Sequence, residues 1–221
     1  VKRILDAKYE KADIEKICEE QAELDKQQRE QLAVLLRKYE ALFDGQLGRW
    51  HGQEVKLELQ EGAKPYHARA YNIPRCHIQT LKAEVERLVK IGVLKKLNRS
   101  EWAAPTFIIP KKDGSVRFIS DFRELNKRIL RKPYPIPNIQ DMLLNLEGFQ
   151  WATSLDLNMG YYHIRLDPAS KQLCTIVLPF GKCEHQAIPM GLCDSPDIFQ
   201  EKTSELMDGL AFVRTCIDDL L

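Results

Sequence analysis

The chain has 221 residues, of which 44% are hydrophobic and 29% charged, and its formal net charge at pH 7 is +1. That length and composition allow one or two domains with a sizeable hydrophobic core. The sequence gives no support to a membrane-spanning protein, a P-loop or a dinucleotide-binding fold, because it has no apolar run of spanning length and neither glycine-rich motif. Six cysteines without a C-x-x-C pair favour reduced thiols in an intracellular protein.

The small net charge is the average of two blocks of opposite sign. Residues 75–135 contain 15 Lys and Arg against 6 Asp and Glu, whereas residues 136–221 contain 5 against 12. A basic block is suited to a bound polyanion, and an acidic block is suited to bound cations. A solvated basic surface is the alternative interpretation, because Lys and Arg are common on any protein surface.

The first elements in chain order are two helices and a short strand. Apolar side chains recur at helical spacing along residues 13–44, which predicts one helix ended by Gly45. Alternating apolar and charged residues predict a strand over residues 55–59, and a second helical pattern covers residues 77–91. Residues 1–74 are therefore predicted to be a helical arm and linker without catalytic residues.

A hairpin is predicted next, because two β-rich runs flank an Asp-Gly turn. The runs are residues 106–110 and 116–120, and glycine supplies the positive φ that such a turn needs. The hairpin brings Lys111 and Lys112 near Arg117, and these three cations would suit a triphosphate. Lysines also protect hairpin edges against aggregation, so both interpretations stay open.

The remainder of the chain predicts two helices, two strands and a second hairpin. In order, these are a helix over 137–146 ended by Gly148, a strand over 151–157, a hairpin of 173–178 with 183–188 that turns at 179–182, a helix capped by Ser195 and running to about 208, and a strand over 211–217.

Three aspartates stand among the strand-forming apolar residues of this region: Asp156, Asp218 and Asp219. A buried carboxylate is costly unless it is paired or binds a metal, so two acidic points on neighbouring strands favour a site for two magnesium ions. Metal-free aspartates at a strand end or turn are the alternative. Adjacent side chains on a strand point to opposite faces, so the 218–219 pair is predicted to lie at a hairpin turn, with its return strand beyond Leu221.

Four segments of the chain occur in the order found in a known family of polymerases. They are GVLKKLNRSEWAAPTFIIPKKDGSVRFISDFRELNKR, SLDLNMGYYHIRL, IPMGLCDSPDIFQ and IDDLL. From about residue 75 to its end, the chain resembles the reverse transcriptase of gypsy-type LTR retrotransposons and, more distantly, the retroviral enzymes. Residues 1–74 are similar to the segment between protease and polymerase in such polyproteins, although this match is weaker.

The resemblance implies an α+β fold of the right-hand polymerase type, with fingers and palm, an antiparallel palm sheet with flanking helices, and truncation before the thumb. Residues 75–221 would form this part, with the fingers at about 75–135 and 167–192 and the palm at about 136–166 and 193–221.

The resemblance also implies a two-metal centre. Asp156, Asp218 and Asp219 would be the catalytic, metal-binding carboxylates, and the Leu157 backbone carbonyl would be a further ligand of two Mg²⁺ ions, with Mn²⁺ as a possible substitute. The remaining implied roles concern the incoming deoxynucleotide: Lys111 and Arg117 on its triphosphate, Tyr161 beneath its sugar, where the ring would exclude a 2′-hydroxyl, and Met190 at the floor of its pocket. A core aromatic at Tyr161 and a gap-filling Met190 are the structural alternatives.

The implied function is RNA-directed DNA polymerase activity, the template-directed addition of deoxynucleotides to a primer 3′-hydroxyl. The partners would be an RNA template and a DNA primer, and the location would be the cytoplasm, in virus-like particles, or the nucleus. Two departures count against activity, because Cys216 stands where the family usually has tyrosine and no thumb or ribonuclease H segment follows. The alternatives are an inactive remnant that binds nucleic acid through residues 75–135, and a protein-interaction module built on the N-terminal helices.

Overall fold

The computed structural model describes residues 11–110, 116–144 and 148–221. The chain divides into two compact units, the first ending at Gly48 and the second running from Arg49 to Leu221. No helix within the described ranges is both long enough and apolar enough to cross a membrane. The predicted functional division at residues 74 and 75 stays a prediction.

The first unit contains two helices where the sequence predicted one. They are α1, Ile14–Glu19, and α2, Lys26–Lys38, followed by a 3₁₀ turn at Glu40–Phe43. The Asp25 carboxylate accepts a hydrogen bond from the Gln28 backbone N–H, and the Gln28 side chain accepts one from the Asp25 N–H. This reciprocal capping box starts a new helix, so the single helix predicted over residues 13–44 is wrong.

The second unit is built from five helices and eight strands within the described ranges. The helices are α3 Arg75–Lys90, α4 Arg123–Asn126, α5 Ile139–Leu144, α6 Pro168–Leu173 and α7 Ser195–Leu206, with a 3₁₀ turn at Gly160–His163. The strands are β1 Leu94–Leu97, β2 Ala104–Pro110, β3 Val116–Ser120, β4 Leu155–Asp156, β5 Thr175–Leu178, β6 Gly181–His185, β7 Thr215–Cys216 and β8 Asp219–Leu220.

The larger sheet is mixed and has the order β1-β6-β5-β2-β3. Its pairs are antiparallel except β2 with β5, which run parallel. The β2–β3 pairing confirms the first predicted hairpin, although the turn predicted at residues 111–115 lies outside the described residues. The β5–β6 hairpin confirms the second, but Leu178 pairs with Gly181, so the turn is shorter than the predicted 179–182.

The smaller sheet is antiparallel and has the order β4-β8-β7. Cys216 pairs with Asp219, so the turn consists of Ile217 and Asp218, and the return strand is β8 itself. The predicted return strand beyond Leu221 is therefore wrong. Both β4 and β7 are two residues long, shorter than predicted. The strand predicted over residues 55–59 forms only isolated bridges, because Val55 pairs with Leu166 while Leu59 pairs with Ile129.

Helices α3 and α7 lie where their patterns predicted them. Helix α3 packs on the larger sheet, and helix α7 packs on the smaller one. Helix α3 packs against β1 and β3, whereas α7 packs against β7 and the 3₁₀ turn. Pro196 stands in the first turn of α7, but Ser195 does not cap the helix as predicted. Its hydroxyl donates a hydrogen bond of 2.7 Å to the Pro189 carbonyl instead. Helix α5 begins at Ile139, two residues later than predicted, and residues 145 and 146 of that prediction lie outside the described residues.

A neutral histidine is buried in the core of the second unit. His185 packs edge-on against Phe122 with ring centroids 6.0 Å apart, and neither ring nitrogen has a hydrogen-bond partner among the described residues. Burial lowers the pKa of His185 to about 3. The folded protein therefore holds this ring uncharged at pH values where an unfolded chain would protonate it.

We expect His185 to make the protein sensitive to acid. A histidine whose folded-state pKa is lowered contributes stability above its unfolded-state pKa, and that stability is lost as the pH falls from about 6.5 towards 3. Between pH 7 and pH 5 a His185→Phe variant should lose about 2 kcal/mol less free energy of unfolding than the parent chain. Urea unfolding at both pH values measures this difference. Any destabilisation caused by packing the larger phenylalanine ring is the same at both pH values, so it cancels.

The matched control for this experiment is His51→Gln, since His51 is exposed. That variant should retain the acid sensitivity of the parent chain. An unchanged pH dependence in His185→Phe would contradict the assignment of the sensitivity to the buried ring.

Candidate active site

Two of the three aspartates predicted to bind metal face each other across the smaller sheet. Asp156 in β4 and Asp219 in β8 are direct partners in the antiparallel register. Side chains of such partners lie on the same face with Cβ atoms about 5 Å apart. Burial and the charge of Asp219 both raise the pKa of Asp156. The sheet therefore brings together two carboxylates that stand 63 positions apart in the sequence.

The third aspartate lies in the turn between β7 and β8. Ile217, the first residue of that turn, has a φ of 55°, an unusual value for a β-branched side chain. The carbonyl of Asp218 accepts a hydrogen bond of 2.8 Å from the Leu157 N–H, which ties the turn to the residue after β4. This bond and the β4–β8 pairing together fix the turn next to Asp156.

The Asp218 carboxylate is half-buried beneath the 3₁₀ turn. A Cβ added to Gly160 would meet Asp218 Oδ1 at less than van der Waals distance and Phe199 Cζ at 2.7 Å, so Gly160 leaves room for both groups. Oδ1 has no hydrogen-bond partner among the described residues. Burial and then the charges of Asp156 and Asp219 raise the pKa of Asp218 to about 6. The three aspartates are thus electrostatically coupled.

Gln200 on α7 holds the turn that carries Asp218. Its side chain is fully buried, and its Oε1 accepts a hydrogen bond of 2.7 Å from the Ile217 N–H. Its Nε2 donates to the carbonyl and hydroxyl oxygens of Thr215 at 3.3 and 2.9 Å. One side chain therefore satisfies backbone groups on both β7 and the turn, which makes it a positioning residue for Asp218.

Replacing Gln200 with Leu is expected to destabilise the protein by about 1–3 kcal/mol. The variant leaves the Ile217 N–H without its partner, and an unsatisfied buried donor costs about that much. The free energy of unfolding from urea titration measures the effect. Gln140→Leu is the control, since Gln140 is exposed on α5 and should change stability little. Equal stability of the two variants would show that the Gln200 bonds contribute nothing.

Among the other residues predicted to bind metal or nucleotide, Tyr161 and Leu157 lie next to the aspartates, whereas Met190 has no described contact with them. Tyr161 packs edge-on against Phe199 with ring centroids 5.3 Å apart, and burial and then the Asp218 charge raise its pKa to about 12. The Leu157 carbonyl accepts a hydrogen bond of 3.0 Å from Gly160 N–H, which leaves one lone pair for another partner. Met190 is exposed, and no described contact links it to the three aspartates.

Two predicted triphosphate contacts fall on parts of the chain that the structure does not describe. Lys111 is one of residues 111–115, which lie outside the described residues. The backbone of Arg117 belongs to β3 and pairs with Ile109, but its side chain is outside the described residues. Their predicted roles stay predictions.

The part of the chain that contains the three aspartates matches a known protein family. A family model described as reverse transcriptase (RNA-dependent DNA polymerase) matches residues 109–221, just over half of the chain. The chain belongs to the reverse transcriptase family. Among curated proteins, the retrovirus-related Pol polyprotein from transposon 412 of Drosophila melanogaster is 27% identical over 179 residues, which cover 76% of this chain and 14% of that polyprotein.

Solved reverse transcriptases share the fold. The crystal structure of a prototype foamy virus protease–reverse transcriptase mutant is 26% identical and matches with a TM-score of 0.84, covering 94% of this chain and 28% of the other. A foamy viral protease–reverse transcriptase in complex with an RNA/DNA hybrid matches with a TM-score of 0.84 at 22% identity, covering 94% and 28%. These likenesses confirm the predicted α+β class. The chain spans 11–15% of the length of curated relatives that it matches.

The donor atoms of the aspartate cluster show which kind of ion its chemistry suits. Within the described ranges, no three His, Cys, Asp or Glu side chains converge as a ligand set for one ion. Asp218 Oδ1 is nevertheless a buried carboxylate oxygen without a described partner, and the two neighbouring carboxylates repel it. Carboxylate oxygens are the ligands that Mg²⁺ and Mn²⁺ prefer, so the donor chemistry fits such an ion.

Sequence reasoning missed the residues that support the aspartates. Gly160, Phe199 and Gln200 all lie in segments that the family resemblance singled out, yet the sequence predicted no role for them. No local signal singled out Gln200, because Asp197, Thr203 and Ser204, which lie one turn away on the same helix, are polar as well. No pattern in the sequence indicated that Gly160 would touch a residue 58 positions later.

Proposed function

We propose that this chain is the fingers and palm of an RNA-directed DNA polymerase from the polyprotein of a gypsy-type LTR retrotransposon. The observation that carries the proposal is the cross-strand pair of Asp156 and Asp219 with the half-buried Asp218 beside it. Family membership supports the reaction class, and the order of the sequence motifs supports the gypsy-type assignment. In this proposal the fingers take about 75–135 and 167–192, and the palm takes about 136–166 and 193–221.

The three aspartates and the Leu157 carbonyl would hold two Mg²⁺ ions, or Mn²⁺ in their place. Such ions, when bound, lower the pKa of an attacking hydroxyl and neutralise charge on a leaving pyrophosphate. The protein's own contribution is to keep the carboxylates in register through the β4–β8 pairing and to hold the turn through Gln200. Positioning of this kind accounts for much of the catalysis in phosphoryl transfer.

The remaining residues would select and hold the nucleotide. Lys111 and Arg117 would grip the triphosphate through charge-assisted hydrogen bonds. Tyr161, fixed edge-on against Phe199, would present its ring to the sugar and exclude a 2′-hydroxyl, and Met190 would line the pocket. An RNA template paired with a DNA primer is the proposed partner, supported by the basic block at residues 75–135 and by the hybrid-bound foamy viral relative. The proposed location is the cytoplasm, in virus-like particles, or the nucleus.

A second candidate is an inactive remnant that binds nucleic acid without copying it. Two observations favour it: Cys216 stands where the family usually has tyrosine, and the described carboxylates do not converge on one point. Cysteine lacks the ring that would pack near the primer end. Both candidates predict binding to a hybrid, and only the first predicts chemistry.

Metal-dependent primer extension separates the two. A labelled DNA primer annealed to an RNA template should grow by single nucleotides when the four deoxynucleoside triphosphates and Mg²⁺ are present. Growth should stop in EDTA and return when excess Mg²⁺ is added, while ribonucleotides should be used poorly. Hybrid binding without extension at any Mg²⁺ or Mn²⁺ concentration would reject the polymerase and leave the remnant.

A further inference from the structure

A groove of about 390 Å³ lies between α3, β1 and the β5–β6 hairpin. Its apolar lining includes Val85, Leu178 and Cys183, all of them buried. Of the residues predicted to bind metal or nucleotide, none whose side chain the structure describes lines this groove. It is therefore a separate feature of the second unit, and the polymerase proposal gives it no role.

The groove is rich in positive charge. Lys82, Lys96 and Lys182 all line it, whereas Glu86 is the one acid among the lining residues that the structure describes. Neither Lys82 nor Lys96 forms an ion pair with any described residue. Lys182 Nζ lies 2.6 Å from His67 Nε2, a contact that leaves the charge of the ammonium group in place when the imidazole is neutral. The groove thus offers three cations to an anionic ligand.

An exposed aromatic ring stands at the mouth of the same groove. Phe180 occupies the turn between β5 and β6 and keeps 38% of its surface accessible. Lys82 Nζ lies 5.5 Å from its ring centroid, within the range of a cation–π contact. A partly exposed ring beside cations can stack on a base while the cations bind phosphates, the combination used by proteins that bind single strands.

We propose that this groove binds a single-stranded polynucleotide, with the three lysines on its phosphates and Phe180 stacked on a base. The inference rests on the proposed polymerase function, because a polymerase that copies a strand must accommodate the part that is still unpaired. It adds a strand-binding site that shares no residue with the aspartate cluster. The shared chemistry, phosphate and base, is the same for RNA and DNA.

Fluorescence anisotropy with labelled oligouridylate and oligothymidylate tests the proposal on the full chain in EDTA, between 50 and 200 mM salt. Lys82→Gln and Lys96→Gln should each weaken binding and reduce the slope of log affinity against log salt by about 0.7, the value for one phosphate contact on a single strand. Phe180→Ala should weaken binding about fivefold or more at every salt concentration. Phe180→Leu should lose as much affinity as Phe180→Ala, because leucine keeps an apolar side chain but has no aromatic face on which a base can stack.

Lys90→Gln is the matched control, since Lys90 is exposed on the same helix but does not line the groove. It should leave both affinity and salt slope unchanged. The proposal is overturned if the Lys82 and Lys96 variants behave like the Lys90 variant. It is also overturned if uridine monophosphate displaces the oligonucleotide at equal concentration of nucleotide units, because a free nucleotide would then be the occupant.

These outcomes are distinct from failure of the polymerase proposal. Strand binding through the groove without primer extension would reject the polymerase and retain the groove. Primer extension with groove variants that bind single strands normally would reject the groove alone. Circular dichroism of each variant should match that of the parent chain, because the lysine substitutions are at the surface.

Discussion

Replacing Asp156 with Asn is expected to reduce primer extension by at least about a hundredfold, which corresponds to roughly 2.7 kcal/mol of activation barrier. Asparagine keeps the shape of the side chain but removes one of the charges that would hold the cations. In the metal-free protein Asp156 is repelled by Asp219 and itself repels Asp218. The variant should therefore be at least as stable as the parent chain, since the substitution relieves that repulsion.

Single-turnover extension and urea unfolding measured on the same preparation separate activity from folding. Asp208→Asn is the control, because Asp208 is an exposed acid just beyond α7 and outside the cluster. Its extension rate should match that of the parent chain. Activity that survives in Asp156→Asn would reject the proposed role of the aspartate cluster.

Gly160→Ala is expected to produce the second large effect, a loss of extension of about a hundredfold. The added methyl group would overlap Asp218 Oδ1 and lie 2.7 Å from Phe199 Cζ. Because the turn is held by Gln200 and by the β4–β8 pairing, the carboxylate must move rather than the backbone. A displacement of about 1 Å at a reacting centre can cost about a hundredfold in rate. The substitution should also cost about 1–3 kcal/mol of stability through overpacking.

A second variant distinguishes the two contacts. Phe199→Leu in the Gly160→Ala background removes the ring that the methyl group meets but leaves the overlap with Asp218. This double variant should recover part of the lost stability and little of the lost activity. Gly62→Ala is the control for activity, because nothing lies within 4 Å of a Cβ at that position. Its φ of 73° strains an alanine, so this variant should lose some stability and keep its extension rate. Full activity in Gly160→Ala would show that Asp218 does not need its present position.

The sequence predicted well wherever the structural signal was local. The Asp-Gly turn predicted the β2–β3 hairpin, and the apolar stripe of residues 77–91 predicted α3. Proline in the first turn indicated the start of α7. These signals act within a few residues, through backbone preference and side-chain periodicity, and they need no distant partner.

The failures arose where a local pattern competed with a specific contact. The apolar spacing within residues 13–44 predicted one helix, but α1 ends at Glu19, and the capping box of Asp25 with Gln28 begins a second helix at Lys26. The alternation of residues 55–59 was that of a strand, yet Val55 and Leu59 bridge to different partners, Leu166 and Ile129, and no strand forms. An alternating pattern shows which side chains are apolar, but it does not show which segments of backbone will pair with these residues.

For the candidate site, the amino-acid sequence by itself determined which residues are predicted to carry the chemistry. Carboxylates among strand-forming residues and the order of four motifs were enough to single out three aspartates. Only the tertiary structure decided their arrangement: the register that sets Asp156 opposite Asp219, and the glycine and glutamine that accommodate and hold Asp218. The physical reason is that register and close packing are long-range properties, fixed by hydrogen bonds and volumes between segments that the linear order leaves far apart.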